Sequence, residues 1–220
     1  MTHEFTLSQI ATDHAPALLN REAVLNRAMK TVGYEFTLPD SMLVAQAPKG
    51  NGASCDRILL KELERAGMER MLGLCSACLP MHSLDSLGLA LLQQQLPTGL
   101  VVELDIATCR ASQQIFVEQA ESLKDRGIRF AIGFDGHIEP GDVDIYQHAE
   151  WIVLDLTQPA EISLSPKVNQ ILQVCPHLQP FVKNVVLQEE FTELLNKSPF
   201  SRTIQLFHGP FVVSRVAAGE

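Results

Sequence analysis

Two short segments near the start of the chain alternate hydrophobic and polar residues. Residues 22–27 (Glu-Ala-Val-Leu-Asn-Arg) and residues 31–38 (Thr-Val-Gly-Tyr-Glu-Phe-Thr-Leu) flank the stretch Ala28-Met29-Lys30. Alternation with a period of two residues is typical of a strand that buries one face, and a gap of three residues suits a short turn. The pattern therefore predicts an antiparallel hairpin.

The rest of the chain repeats apolar runs and helical stretches in order. Nearly continuous apolar runs are typical of strands in a parallel sheet that helices cover. No linker interrupts the repeat, so one α/β barrel fits better than two small domains. About 250 residues is typical of a TIM-like (β/α) barrel, so a chain of 220 residues indicates a trimmed barrel.

We expect an N-terminal extension over residues 1–19 and a single barrel domain over residues 20–216. The predicted strands lie at 71–75, 100–104, 128–132, 151–156, 181–185, 203–207 and 211–213, and the predicted helices near 84–95, 108–126, 165–175 and 188–197.

The composition excludes several classes of protein. The formal net charge is -9 and the pI is near 5.2, whereas non-specific nucleic-acid binders gain affinity from clustered Lys and Arg. No run approaches the ~20 apolar residues of a bilayer-spanning helix, and the first residues lack the basic start and apolar core of a signal peptide. Five cysteines, an odd number, indicate reduced thiols. We expect a cytoplasmic protein that binds neither nucleic acid nor membrane.

Cys75 and Cys78 have the spacing of a zinc or redox pair. A structural zinc site needs four ligands, and His82 is the only further ligand type nearby. The seven histidines form no His-x-His or His-x-x-x-His pair. The sequence therefore predicts neither a zinc site nor a histidine metal cluster.

Six segments, in chain order, resemble the EAL domains of bacterial cyclic di-GMP phosphodiesterases, especially the branch often fused to HDOD domains. The resemblance covers roughly residues 20–215, and Glu35 matches the glutamate that names the family. It implies a TIM-like barrel whose first strand is antiparallel, which agrees with the predicted hairpin. The segments are 21–27 with 32–36, 101–105, 127–132, 151–156, 182–191 and 206–215.

The resemblance also implies where a catalytic site would lie. Active members of the family hydrolyse cyclic di-GMP with a water activated between Mg²⁺ or Mn²⁺ ions, and such hard cations need oxygen ligands. Glu35 and Glu103 correspond to two of the family's carboxylate ligands, and Asp155 to the aspartate of a later strand. Asp135 could serve as a further ligand only through an alignment shift of one or two residues.

Most other positions of that implied site hold the wrong residue. Lys183 is the most damaging replacement, because it brings a positive charge where a metal cluster needs a carboxylate. The family's asparagine, expected near residues 75–77, is not matched by an asparagine in any nearby register. The remaining replacements are Gly133 and Phe134 for an aspartate pair, Val153 for a lysine, Lys183 and Val186 for two glutamates, His208 for a glutamine and Pro39 for an arginine.

The retained acidic residues also have purely structural interpretations. Glu35 and Glu103 can be polar residues at strand ends that are solvated or paired with Lys183. Asp155 lies in an otherwise apolar strand, where a buried charge is costly unless it is paired, so we expect a fixed partner and Lys183 is one candidate. These interpretations need no metal.

The sequence favours a catalytically inactive EAL-like domain that acts as a regulatory or protein-binding module in bacterial, cyclic di-GMP-related signalling. It predicts no catalytic, cofactor-binding or metal-binding residue and no cofactor, with Glu35, Glu103 and Asp155 as vestigial matches. The expected partner is another protein or a second copy of the chain, and cyclic di-GMP binding is expected to be weak or absent. The alternative is a divergent cyclic di-GMP receptor or metal-dependent phosphodiesterase that uses Glu35, Glu103, Asp135 and Asp155 in a rearranged site.

Overall fold

Eight strands form a closed barrel in which each strand pairs with its neighbours in chain order. The computed structural model describes residues 19–39, 52–67, 75–85, 99–159, 166–196, 198 and 203–210. The barrel confirms the predicted α/β, TIM-like fold class. The strands are β1 Asn20–Asn26, β2 Thr31–Thr37, β3 Ser76–Met81, β4 Leu100–Leu104, β5 Arg129–Gly133, β6 Trp151–Asp155, β7 Gln179–Lys183 and β8 Leu206–Phe207.

The first strand runs against both of its neighbours. β1 pairs antiparallel with β2 and with β8, and every other pair in the barrel is parallel. The predicted hairpin is confirmed, because a turn over residues 27–29 joins β1 to β2 and Met29 takes a left-handed φ of 59°. The antiparallel first strand also agrees with the fold that the resemblance implied.

Six helices lie among the described residues. They are α1 Gly52–Ala66, α2 Ile106–Ala111, α3 Gln113–Lys124, α4 Asp142–Tyr146, α5 Pro166–Val174 and α6 Gln188–Asn196. The single helix predicted over 108–126 is wrong, because Ser112 leaves helical geometry with φ -144° and ψ 48° and divides it into α2 and α3. Most of the helix predicted near 84–95 lies outside the described residues, as does the strand predicted at 211–213.

The first parallel strand lies later in the chain than predicted. The apolar run at 71–75 predicted a strand there, and residues 71–74 lie outside the described residues. The strand that the structure describes, β3, occupies Ser76–Met81 and includes Pro80. A proline cannot donate a hydrogen bond to a strand ladder. The structure accommodates it because the pairing of β3 with β2 ends at Cys78, so Pro80 faces a strand only on its β4 side.

The core has two parts because successive strand residues point to opposite faces. The larger part lies between the barrel wall and the helices and includes the fully buried Phe116, Phe130 and Ile152. The smaller part fills the inside of the barrel, and its members are Val24, Cys78, Val101, Ala131, Trp151, Val153 and Phe181. Among the described residues, no helix is long and apolar enough to cross a membrane. The expected domain limits of 1–19 and 20–216 stay predictions.

Candidate functional site

Polar side chains enter the barrel at the carboxyl ends of its strands, above the apolar interior. Glu103 follows the interior residue Val101 by two positions, and Lys183 follows Phe181 in the same way. Since the side-chain period of a strand is two, both point into the barrel. Glu35 also does so, because it pairs with the interior residue Cys78. The sequence therefore brings charged groups of β2, β4 and β7 to one mouth of the barrel.

Lys183 forms an ion pair with both Glu35 and Glu103. Its Nζ lies 2.7 Å from Oε2 of Glu35, 2.9 Å from Oε1 of Glu103 and 3.0 Å from Oε2 of Glu103. The three side chains are only 8 to 16% exposed. Glu35 and Glu103 were expected to be either solvated or paired with Lys183, and the structure shows that they are paired with Lys183. We call these three residues the lysine triad.

Burial and charge oppose each other within the lysine triad. Burial acts to lower the pKa of Lys183, but Glu103 and Glu35 outweigh it and hold that pKa above its usual range. The pKa of Glu103 is raised by burial, with Glu35 adding to the rise and Lys183 opposing it. The ammonium is therefore the stable form of Lys183 at neutral pH, and it is shared between two carboxylates.

Asp155 has a fixed partner, but the partner is not Lys183. Its Oδ1 accepts a hydrogen bond from Asn184 Nδ2 at 2.7 Å. It also accepts hydrogen bonds from the backbone N and from Oγ1 of Thr157, both at 2.8 Å. Asn184 takes a left-handed φ of 60° after the end of β7. Burial acts to raise the pKa of Asp155, but the hydrogen bonds from Asn184 and Thr157 overcome it and lower that pKa. The prediction of Lys183 as the partner of Asp155 is wrong, because the ammonium of Lys183 binds Glu35 and Glu103 instead.

Asp135 lies at the same mouth and is held by an arginine that sequence reasoning missed. Arg110 lies in the last turn of α2, and its Nη1 donates a hydrogen bond to Asp135. Its Nε and Nη2 each donate a hydrogen bond of 2.8 Å to one of the two carboxylate oxygens of Asp142. Asp142 is 1% exposed, so Arg110 neutralises a buried carboxylate while it binds Asp135. A separation of 32 residues between Arg110 and Asp142 leaves no local signal in the sequence.

A second buried carboxylate near the mouth was also missed. Asp56 of α1 accepts hydrogen bonds from the backbone N of His82 and of Ser83, and one of its oxygens lies 2.9 Å from His82 Nδ1. Asp56 is 1% exposed, whereas the His82 side chain is 57% exposed. The hydrogen bond with Asp56 raises the pKa of His82, while burial opposes the rise. This contact ties α1 to the end of β3.

The replaced positions add no metal-binding oxygen to the mouth. Gly133 has no side chain, Phe134 is buried, and Val153 belongs to the apolar interior of the barrel. The β3 residue that pairs with Glu103 is Pro80 and not one of residues 75–77, where the resemblance implies an asparagine. Within the described ranges, no group of three His, Cys, Asp or Glu side chains could hold a metal ion.

The thiol of Cys78 is poorly suited to metal binding or disulfide exchange. Cys78 points into the barrel interior, where burial, then Glu103 and Glu35, raise its pKa to about 12. A thiol with such a pKa stays protonated at neutral pH, and the thiolate is the form that binds metal or attacks a disulfide. Cys75 and Cys78 are both free thiols.

A cavity of about 280 Å³ opens at the mouth beside the lysine triad. Four carboxylates and one ammonium line it, so its formal charge is negative. Arg110 adds a positive charge next to Asp135, but the buried Asp142 offsets it. We call this space the mouth cavity; its charged residues are Glu103, Asp105, Asp135, Asp155 and Lys183.

Comparison with known proteins identifies the fold. No protein-family model matches the chain, and no curated protein matches it. Solved structures do match. Klebsiella pneumoniae BlrP1, in a complex with calcium and cyclic di-GMP, is 18% identical, with a TM-score of 0.64 over 92% of this chain and 57% of that chain. The phosphodiesterase PaMucR, in complex with cyclic di-GMP, is 16% identical, with a TM-score of 0.64 over 90% of each chain.

A third match names the fold directly. The EAL domain of Xanthomonas citri FimX, in complex with cyclic di-GMP, is 11% identical, with a TM-score of 0.65 over 89% of this chain and 86% of that chain. The chain described here therefore has the fold of an EAL domain. It spans only 57% of the length of the BlrP1 chain that it matches. At these identities the likeness extends to the fold, and the chemistry has to be argued from the residues of this chain.

Proposed function

We propose that this chain is a catalytically inactive EAL-like domain that acts as a regulatory or protein-binding module in cyclic di-GMP-related signalling. The observation that carries the proposal is the position of the Lys183 ammonium, which lies within 3.0 Å of both carboxylates that match metal ligands of the family. An internal cation takes the place that a divalent ion would need.

The charge balance supports this proposal. A divalent cation that bound between Glu35 and Glu103 would have to displace Lys183, since two cations cannot share the same oxygens at contact distance. Displacement would leave a buried ammonium without a partner, and breaking a buried ion pair in that way costs ~3–5 kcal/mol. The donor set at the mouth therefore does not fit Mg²⁺ or Mn²⁺, and no hydrolytic step can be assigned to it.

The alternative of a rearranged site has less support, because each of its four carboxylates already has a partner. Glu35 and Glu103 pair with Lys183, Asp135 binds Arg110, and Asp155 binds Asn184 and Thr157. The excess of negative charge around the mouth cavity also opposes an anionic ligand such as cyclic di-GMP. We therefore propose weak or absent binding of the dinucleotide.

The signalling context and the partners are inferred from the fold. The three matched structures described above are complexes with cyclic di-GMP. An EAL barrel without a metal site can serve signalling through contacts with other molecules. We propose another protein or a second copy of this chain as the partner, and a cytoplasmic location.

A hydrolysis assay tests the proposal. We expect no linear dinucleotide product when the purified chain is incubated with cyclic di-GMP and Mn²⁺, as measured by chromatography. Glu35→Gln is the control that separates turnover by this chain from a contaminant. Product formation that disappears in Glu35→Gln would overturn the proposal, and heat of cyclic di-GMP binding in a calorimetric titration without product would favour the receptor alternative.

A further inference from the structure

Two exposed apolar side chains stand on the rim of the barrel beside the mouth cavity. Val186 is 53% exposed and Leu187 is 54% exposed, whereas Val185 before them is fully buried. They follow Asn184, whose side chain binds Asp155 in the wall of the mouth cavity. Because consecutive Cα atoms lie ~3.8 Å apart, Val186 is within about 8 Å of Asn184. We call Val186 and Leu187 the rim pair.

The backbone of the rim pair is held in place from both sides. Glu190 Oε2 accepts hydrogen bonds from the backbone N of Val186 at 2.8 Å and of Leu187 at 3.0 Å. The backbone N of Val185 donates to the carbonyl of His208 at 3.1 Å. Gly209 allows this close approach, because a Cβ there would lie 2.4 Å from the backbone N of Val185. The two apolar side chains are therefore presented from a fixed backbone, so binding of a partner would cost little conformational entropy in this segment.

We propose that the rim pair and the mouth cavity form a docking surface for a basic, apolar segment of a partner protein. This inference rests on the proposed function as a protein-binding module. Apolar residues of the segment would cover Val186 and Leu187, and a Lys or Arg side chain would enter the mouth cavity beside Asp105 and Asp155. Asp105 caps α2 without a side-chain hydrogen bond to the helix, and Asp155 has only neutral hydrogen-bond donors.

Charge complementarity selects this occupant over others. Four carboxylates line the mouth cavity against one ammonium, and that ammonium is already shared with Glu35. An anionic nucleotide or phosphopeptide would be repelled. A second copy docked mouth to mouth would bring the same negative charges together, in a chain whose formal net charge is -9. A segment with positive charge next to apolar side chains matches both parts of the surface.

Fluorescence anisotropy with a labelled peptide of alternating Lys and Leu tests the surface, and the matching Glu-Leu peptide is the charge control. The double variant Val186→Ser with Leu187→Ser should weaken Lys-Leu binding about tenfold, as expected for losing partial burial of two apolar side chains. Asp105→Asn should weaken it further at low salt. Val174→Ser is the matched control: Val174 is 58% exposed, at the end of α5 that leads into β7 and so at the other end of the barrel.

Three results would overturn the docking surface. They are equal binding of the Lys-Leu and Glu-Leu peptides, unchanged binding by the rim variant, and an equal loss with Val174→Ser. Circular dichroism confirms that each exposed substitution leaves the fold intact. The hydrolysis assay on the same samples separates the two proposals. Peptide binding at the rim pair together with turnover of cyclic di-GMP would reject only the proposal of an inactive domain. Absence of specific peptide binding, without turnover, would reject only the proposal of the docking surface.

Discussion

At the scale of single residues, Lys183 supplies the positive charge between two largely buried carboxylates at the mouth of the barrel. A carboxylate at that position would add an oxygen ligand, whereas an ammonium neutralises the two carboxylates that remain. Its Nζ lies 2.7 Å from Glu35 and 2.9 Å from Glu103, and all three side chains are largely buried. The three residues are visible in the sequence, but the contact of Lys183 with both glutamates follows from strand ends that lie 80 residues or more apart.

Lys183→Met should destabilise the protein by ~3–5 kcal/mol at neutral pH, because it leaves two neighbouring buried carboxylates without their cation. Urea denaturation followed by circular dichroism gives the free energy of unfolding. Lys61→Met is the control, since Lys61 is exposed on α1, and a surface change of that kind shifts stability by ~0.5 kcal/mol or less. Equal stability of Lys183→Met and the unaltered protein would contradict the structural role of the lysine triad.

His82 should make stability depend on pH in one direction. Its hydrogen bond with Asp56 raises its pKa in the folded protein above the ordinary value. A raised folded pKa gives stability that is fully present below the unfolded pKa of ~6.5 and is lost as pH rises through the folded pKa.

The stability difference between the unaltered protein and His82→Gln should therefore be larger at pH 5.5 than at pH 8.5. Urea denaturation at both pH values measures it. His177→Gln is the control because no contact ties His177 to a carboxylate among the hydrogen bonds and ion pairs of the described residues. A difference that grows toward pH 8.5 would show that the contact of His82 with Asp56 does not favour the charged imidazole.

At the scale of elements, most strands were predicted from apolar runs, and the errors have local causes. β4 at Leu100–Leu104 was predicted to the residue, and β5 and β6 to within one, because these strands are apolar on both faces. The strand predicted at 71–75 lies mostly outside the described residues, and β3 at Ser76–Met81 includes Pro80, a residue that central strands seldom contain. The helix over 108–126 was predicted as one, because the break at Ser112 depends on a backbone turn and not on a Gly or Pro signal.

Arg110 is the contact that joins α2 to the loop between β5 and α4. Arg110→Met should cost ~3–5 kcal/mol, because it leaves the carboxylate of Asp142, 1% exposed, without its cation. The amides of residues 134–142 should also exchange hydrogen faster, which mass spectrometry can follow. Arg57→Met, at an exposed position on α1, should change neither quantity. Unchanged exchange in Arg110→Met would mean that the loop is ordered by other contacts.

At the scale of the whole molecule, the lysine triad links β2, β4 and β7 across the mouth of a closed barrel. A barrel whose strand ends are joined by its own ion pairs needs no bound cation to hold them. Ligands that bind only the folded state stabilise it by RT ln(1 + L/Kd), where L is the free ligand concentration, so the melting temperature rises with the concentration of a ligand that binds. Thermal stability is therefore a direct measure of what this mouth binds.

Neither EDTA, Mn²⁺ nor cyclic di-GMP should shift the melting temperature of the unaltered protein. In Lys183→Met, Mn²⁺ should raise it, because Glu35 and Glu103 are then two adjacent carboxylates without a counter-ion. Differential scanning fluorimetry checks both expectations. The double variant Lys183→Met with Glu35→Gln is the control and should lose the response to Mn²⁺. A stabilisation of the unaltered protein that grows with the concentration of cyclic di-GMP would contradict the expectation.

The fold class and the hairpin could be predicted from the chain alone, because they depend on local periodicity and on residue identity. The partners of the charged residues could not be predicted in this way. Lys183 binds Glu35 and Glu103 rather than Asp155, and Arg110 binds Asp135 and the buried Asp142. These pairs join residues that are far apart in the chain, and closure of the barrel sets which strand ends meet. A buried charge takes the partner that this geometry brings within reach, and periodicity carries no information about that choice.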